Sequence, residues 1–494
     1  MEKYDVVIIG SGLGGLECGY ILSKKGYNVC ILEKNKQIGG CLQTFERENT
    51  VFDTGFHFVG GLDEGQFLNK LFKYFDLLDL PWSKLDETGF AEILFNNNSY
   101  YLASGFDQFT DTLSNTFKKS HLQIKEYSDF LKQVGDNIIN SFDNKSNNTF
   151  LYSSLFEQSA YNFMQQSIDD PLLRNILSGA SLTMELCAEK LPLYIFAQMN
   201  SSFIQSSWRL YGGGSQIAKK LADNITKMGG TIRTRANVTK FIAKDSAISH
   251  VEVNGEEQIT GKYFISNLHP ALTLSLITEA SIIRKSYRNR ISNLPNTFGM
   301  FTTHIKLKKN KIPYLNRNVF IYRDSNIWEY CNYKADEKTK GILISYQVPE
   351  PGEIYANNID ILTPMHWEEV KEWENTGIEK RGENYKAFKT QKAQECIELA
   401  SERIPGLKNS IEKFYTSSPL TYRDYTGTCE GSAYGIQKDY NNIMHTILAP
   451  HTQIPNLLLT GQNLNLHGVL GVSMTSFFTC AKIVGMENLI KDLN

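Results

Sequence analysis

The chain has 494 residues, too many for one hydrophobic core, and so divides into about two or three domains. A 41% hydrophobic and 21% charged composition is that of a soluble globular protein, and a net charge of -2 with no long basic run excludes a general nucleic-acid binder. The eight cysteines (Cys18, Cys30, Cys41, Cys187, Cys331, Cys396, Cys429, Cys480) include no CxxC pair, which excludes a zinc ribbon or dithiol motif and leaves free thiols in a reducing cytoplasm as the simplest reading.

Met1 to Asp5 lacks a basic n-region, apolar h-region and cleavage site, so a secretory signal peptide is not expected. No apolar run in the chain approaches the roughly 20 residues of a membrane span. Asp5 to Ile9 is a β-branched apolar run and predicts a strand buried on both faces. The loop Gly10-Ser11-Gly12-Leu13-Gly14-Gly15 follows, then a helix over Leu16 to Lys25 ended by Gly26, then a strand over Asn28 to Leu32 that ends at Glu33. Gly10 suits the tight turn, Gly12 a close approach of backbone to a pyrophosphate, and Gly15 the packing of helix on sheet. The helix N-terminus offers unpaired N–H groups to phosphate oxygens. A carboxylate at Glu33 can accept the adenosine ribose hydroxyls and repels a 2′-phosphate, which argues against NADP. The pattern to this point fits FAD and NAD equally.

The next segment separates them. Glu33-Lys34 is followed by Gly39-Gly40-Cys41, and this glycine pair resembles the second signature of the FAD-containing amine oxidase and phytoene desaturase superfamily. The resemblance implies FAD as cofactor, with the pair letting the chain run along the phosphate and ribityl arm. Many members have Arg after the pair; Cys41 stands there here, which removes one phosphate partner. Phe52-Asp53-Thr54-Gly55-Phe56-His57-Phe58 then looks like the retinol saturase and carotenoid isomerase branch, as does Pro419-Leu420-Thr421 through Gly431-Ser432-Ala433-Tyr434-Gly435. Near the C-terminus, Leu457 to Leu459 predicts a strand running into Gly461-Gln462. Leu466-His467-Gly468-Val469-Leu470-Gly471 opens an apolar helix. In the family this helix start points at the pyrimidine edge of the flavin, where reduced flavin carries negative charge. In the middle of the chain, Tyr211-Gly212-Gly213-Gly214-Ser215 reads as a turn before a helix over Gln216 to Met228. Strands are expected over Thr231 to Thr234, at Asn237-Val238-Thr239 and over Lys262 to Asn267, and the resemblance places the backbone near Val238 against the adenine.

These pieces imply an α/β fold with a discontinuous Rossmann-like FAD-binding domain (1–75, 206–270 and 419–494) and an inserted α+β substrate domain (76–205 and 271–418), of the amine oxidase/phytoene desaturase type. In the insert, helical spacing runs over Phe106 to Val134, Pro171 to Cys187 and about Lys386 to Arg403. Strands are expected over Phe298 to Leu307, Val319 to Tyr322 and Gly341 to Val348, and Asn140 to Asn148 reads as a loop.

The expected cofactor contacts are Gly10, Gly12, Leu13, Gly14, Gly15, Glu33, Lys34, Gly39, Gly40, Cys41, Val238, Gly461, Gln462, Gly468, Val469 and Leu470. His57, Tyr434 and His467 are the candidate proton donors. Each has a plainer reading: His57 as a packed, hydrogen-bonded side chain between two Phe, His467 as a turn cap, and Tyr434 as a buried phenol with one partner. Cys41 reads more simply as a packed thiol, and Arg423 with Asp424 as a structural ion pair. No metal-ligand spacing or Ser/His/Asp arrangement stands out. The resemblance implies a hydrophobic polyene or isoprenoid substrate, a membrane surface as a further partner, and reaction at C=C bonds. Retinol-saturase-like reduction is the leading reading, with carotenoid desaturation or cis–trans isomerisation as the alternative. A flavin-binding scaffold or carrier with little turnover is the alternative of another class.

Overall fold

Val6 to Ile9 are all buried, so the first strand lies in the middle of a sheet covered on both faces. The computed structural model describes residues 2–95, 97–138, 154–323, 326–334 and 337–493. The Asn140 to Asn148 loop expectation lies outside the described residues. Strand Glu2–Ile9 pairs in parallel with Val29–Leu32 on one side and with Glu257–Ser266 on the other. Thr231–Arg233 extends the sheet beyond Val29–Leu32, again in parallel. Glu257–Ser266 carries two further neighbours along its length: its first half pairs antiparallel with Ala247–Val253, and Phe264 to Ser266 pair in parallel with Leu457–Leu459. Val238–Lys244 closes the seven-stranded sheet. Residues from three distant stretches of the chain thus share one sheet, as the interleaved glycine motifs imply.

Helices Leu13–Lys24, Ser215–Lys227 and Gly468–Val484 pack over this sheet. The first begins three residues earlier than expected, because Leu13 directly follows Gly12, whose extended ψ of 171° ends the loop. The Gly212 and Gly213 turn has φ values of 81° and 87°, and the helix opens at Ser215, so this triplet is a turn and not a second dinucleotide loop.

A second seven-stranded sheet runs Ile411–Ser417, Gly299–Leu307, Asn358–Met365, Gly341–Tyr346, Asn318–Tyr322, Ala91–Phe95, Asn98–Leu102. Every pair is antiparallel except Asn318–Tyr322 with Ala91–Phe95. Alternation sorts its two faces. Ile305, Ile344 and Ile361 pack under helix Gly382–Ser401 through Ala393, Cys396 and Ala400. Met300, Leu343 and Leu362 point to the opposite face, in a core shared with helix Leu193–Gln205.

Two helical expectations are corrected. Phe106 to Val134 is two helices, Phe106–Thr116 and His121–Asp136, broken where Phe117 leaves helical geometry at φ -112°, ψ 61°. Pro171 to Cys187 is helical only over Pro171–Ser178. Asp170 caps that helix by accepting from the N–H groups of Leu172 and Leu173, and a 3-10 turn, Ser181–Thr183, follows. Among the described residues no helix is long and apolar enough to cross a membrane, and no group of His, Cys, Asp and Glu could hold a metal ion.

Candidate active site

A cavity of about 650 Å³ runs from the C-terminal ends of the first sheet's parallel strands to the inner face of the second sheet. At one end the loop Gly10 to Gly14 lines it. Gly10, at φ 93°, turns the chain off its strand while its N–H donates to the Leu32 carbonyl at 2.8 Å. A Cβ at Gly15 would overlap the Gly10 carbonyl, so this glycine is required by the turn itself more than by helix-on-sheet packing. Asn267, at the exit of strand Glu257–Ser266, fills the inside of the loop: a Cβ at Gly12 or at Gly14 would lie 2.9 Å from its side-chain amide. The Gly39-Gly40 pair lies directly against the loop, with the Gly39 N–H donating to the Ser11 carbonyl at 3.0 Å. Gly40 has a φ of 57°, and a Cβ there would stand 3.1 Å from Gly12 Cα. Backbone therefore approaches backbone without side chains between, as a cofactor pyrophosphate requires.

Glu33 is buried at the end of its strand. Its Oε2 accepts from the Ser11 N–H at 3.0 Å and the Ser11 hydroxyl at 2.5 Å, and its Oε1 accepts from the Asn35 N–H at 2.8 Å. A carboxylate has about four acceptor directions, so capacity for a ribose hydroxyl remains while the side chain is held still. Lys34 lines the cavity and donates to the Asp424 carbonyl at 3.0 Å. Burial lowers its pKa. Asp424 is paired with Arg423 at 2.8 Å and also with Arg381, which supports the structural reading of that pair. Val238 and its neighbours Ala236 and Asn237 close this end.

The other end is built by Gly461, Gln462 and the start of helix Gly468–Val484, where Gly468, Val469 and Leu470 face the cavity. Cys41 lines the wall between the two ends, and burial pushes its thiol up to about 11, so it is a neutral packed group.

His57, Tyr434 and His467 all line the same cavity. His467 precedes the helix but makes no side-chain cap, which corrects the capping reading. Its Nε2 lies 3.0 Å from the Thr183 carbonyl and burial lowers its pKa to about 4, so the ring is neutral with its proton on Nε2. Tyr434 packs on it with ring centroids 4.6 Å apart and donates its hydroxyl to the Leu182 carbonyl at 2.6 Å. His57 is different. Both ring nitrogens are buried with no hydrogen-bond partner among the described residues, and burial lowers its pKa to about 4. It is packed as expected but not hydrogen-bonded as expected.

Sequence reasoning missed Ser11, Asn35, Asn267 and Tyr422. Tyr422 lines the cavity, donates to the Thr54 carbonyl at 3.0 Å, and burial raises its pKa strongly. The serine in the loop and the asparagine ending the strand were visible as neighbours of the glycine motifs. Tyr422 directly follows the Pro419-Leu420-Thr421 segment, whose resemblance to the family is the one signal that pointed to it.

The residues fit FAD: the crowded glycine loop, the held ribose acid and the helix start all border one cavity. The sequence model described as flavin containing amine oxidoreductase matches residues 13–346. The chain is 24% identical to the all-trans-retinol 13,14-reductase of Danio rerio over 99% of its own length and 87% of that protein's. It is 24% identical to prolycopene isomerase 1, chloroplastic, of an Oncidium hybrid cultivar over 88% of its own length and 75% of that protein's. The crystal structure of an oxidoreductase from Methanosarcina mazei superposes with a TM-score of 0.62 at 16% identity, covering 96% of this chain and 98% of that one. Sequence family, glycine-lined cavity and fold agree: the chain belongs to the flavin containing amine oxidoreductases, and its cofactor is FAD.

Proposed function

We propose that this enzyme reduces a C=C bond in a hydrophobic polyene, in the manner of the retinol 13,14-reductases it resembles. The observation that carries this reading is the apolar wall facing the helix start. Leu182, Met199 and Phe203 come from the helical layer and Met300, Leu343 and Leu362 from the second sheet, and all line the one cavity. Such a wall binds an extended hydrocarbon, excludes water and offers a charged substrate nothing to pair with.

Reduction requires a hydride at one carbon and a proton at the other, and bound FAD in its reduced form supplies the hydride. The N–H groups at Gly468, Val469 and Leu470 would stabilise negative charge on a bound flavin. The apolar wall fixes which carbons lie there. His57 lines the cavity and its buried ring nitrogens have no hydrogen-bond partner among the described residues, which leaves it as the candidate to hold a proton there, whereas the Tyr434 hydroxyl and the His467 proton are committed to Leu182 and Thr183. We also read residues 1–75, 206–270 and 419–494 as the flavin-binding part and 76–205 with 271–418 as the substrate-binding part. A cytoplasmic protein that meets a membrane surface to collect its substrate fits this reading, and the free thiols of the described cysteines support the reducing compartment.

The similarity to prolycopene isomerase favours isomerisation as a second reading. Anaerobic incubation of dithionite-reduced holoenzyme with all-trans-retinol or a cis-carotenoid separates them. A product heavier by two hydrogens supports reduction, and a product of unchanged mass with altered retention supports isomerisation. Failure of reduced enzyme to change any polyene overturns both and favours a scaffold or carrier.

A further inference from the structure

Outside the flavin cavity's reacting end, one cluster has the parts of a nucleophilic site. His269 is buried just beyond strand Glu257–Ser266. Its Nδ1 lies 3.3 Å from the Cys429 sulfur and accepts from the Ala271 N–H at 3.2 Å. Its Nε2 lies 2.9 Å from Asn296 Oδ1, and Asn296 Nδ2 donates to Glu430 at 3.3 Å. These contacts settle the protons. The carboxylate of Glu430 can only accept, so Asn296 presents its oxygen to the ring, the ring carries its proton on Nε2, and the one lone pair on Nδ1 is shared between the Ala271 N–H and the thiol. Cys429 and Glu430 are neighbours on a tight turn, Cys429–Gly431, in which Glu430 is held at a φ of 53° and Gly431 at 60°. One strained turn thus presents both ends of the relay. Burial and then the charge of Glu430 raise the Cys429 pKa, and burial lowers that of His269 to about 4. The resting pair is a neutral thiol against a neutral imidazole, so the proton moves as the sulfur attacks.

We propose that Cys429 is a nucleophilic thiol with His269 as its base and Asn296 as the residue positioning that base, and that it is a modification site for low-molecular-weight disulfides. The Cys429 sulfur attacks one sulfur of the disulfide and the S–S bond breaks. The thiol proton passes to His269 Nδ1, which gives up its hydrogen bond from the Ala271 N–H while it holds the proton, and on to the departing thiolate, leaving one mixed disulfide and one free thiol. Cys429 is only partly buried, and Cys18, Cys30, Cys396 and Cys480 are buried. Cys41 and Cys187 are also partly buried, but among the described residues neither has a histidine within hydrogen-bonding distance. The position gives the modification a consequence. His269, Gly427 and Thr428 line the adenosine end of the cavity with Lys34, so an adduct on the adjoining Cys429 crowds the cofactor. Thiol oxidation would then control FAD loading, beyond the polyene chemistry and independent of which bond is reduced.

The test is incubation of purified protein, with and without added FAD, in oxidised glutathione, followed by peptide mass spectrometry and flavin absorbance after gel filtration. The expected result is one glutathionyl group on Cys429, slower addition when FAD is in excess, and flavin loss that dithiothreitol reverses. His269→Gln should react about a hundredfold more slowly. Asn296→Ala, which leaves the helix cap at His269 in place, should react about tenfold more slowly and carries the test if the first variant fails to fold. Cys429→Ser should keep its FAD in oxidised glutathione. Equal rates in wild type and the folded variants, labelling confined to other cysteines, or a labelled protein that retains FAD fully would overturn the proposal.

Discussion

Asn267 leaves no room for a side chain at Gly461: a Cβ built there would overlap the asparagine's Oδ1. The two residues are 194 positions apart by number, yet they lie at the ends of paired strands, because Ser266 sits opposite Leu459 in the parallel register. The same amide lies 2.9 Å from where a Cβ would stand on Gly12 or Gly14, so Asn267 holds the pyrophosphate loop and the Gly461-Gln462 segment at a fixed spacing.

Gly461→Ala therefore has two costs. Its φ of 95° is unfavourable for any residue with a Cβ, by about 1–2 kcal/mol, and the new methyl must displace Asn267. We expect a folded protein that loses flavin on gel filtration, read as the ratio of flavin to protein absorbance. Flavin retention equal to wild type would show that the Asn267 contact does not set the loop.

The N-terminal anchor was legible from sequence because every part of it is local: strand, glycines, helix and Glu33 follow within a few dozen residues, and each residue type has a backbone reason to be where it is. The far anchor at Gly461 and Gly468 was legible through resemblance alone, since a strand followed by glycines is common. Asn267 was not read as part of the site, although its strand was. Its role depends on strand pairing between distant segments, which no residue spacing records. The break at Phe117 was missed for a related reason, because apolar and charged residues keep helical spacing on both sides of it. The unpartnered state of His57 could not be read at all, as it depends on what the second sheet and the helical layer fail to offer.

His57→Leu should preserve fold and flavin content, because the imidazole makes no hydrogen bond among the described residues and an apolar side chain meets the same buried surroundings. If His57 holds the proton at the cavity, turnover on a polyene should fall by about a hundredfold or more with little change in flavin content. Unchanged turnover under single-turnover conditions with reduced enzyme would remove His57 from the chemistry.

Tyr434→Phe is expected to act on stability and not on chemistry. The phenol donates to the Leu182 carbonyl, so the variant leaves one buried acceptor unpaired at a cost of about 1–3 kcal/mol. Denaturant unfolding should show the loss while the rate of C=C reduction stays within a factor of a few. A large drop in rate at unchanged stability would make the phenol a proton donor after all.

Glu17 gives a prediction in pH. It lies on helix Leu13–Lys24, fully buried, and accepts from Ser473 at 2.5 Å and Ser476 at 2.9 Å across the interface with helix Gly468–Val484. Burial raises its carboxyl from 4.5 to about 8, more than the two hydroxyls lower it. The folded state therefore holds the proton that the unfolded chain releases near its ordinary value. A raised folded value means a contribution that is fully present below about 4.5 and is lost as pH rises through about 8. The total is on the order of a few kcal/mol. Glu17→Gln keeps a neutral group that can meet both serines and cannot ionise. Its melting temperature should vary less than that of wild type between these pH values and should exceed it above pH 8. The two helices carry the cavity-lining residues Leu13 and Gly14 on one and Gly468 to Leu470 on the other, so wild-type flavin release should also rise with pH while the variant's does not. Parallel melting curves for the two proteins across this range would mean that the Glu17 carboxyl is not raised in the folded state.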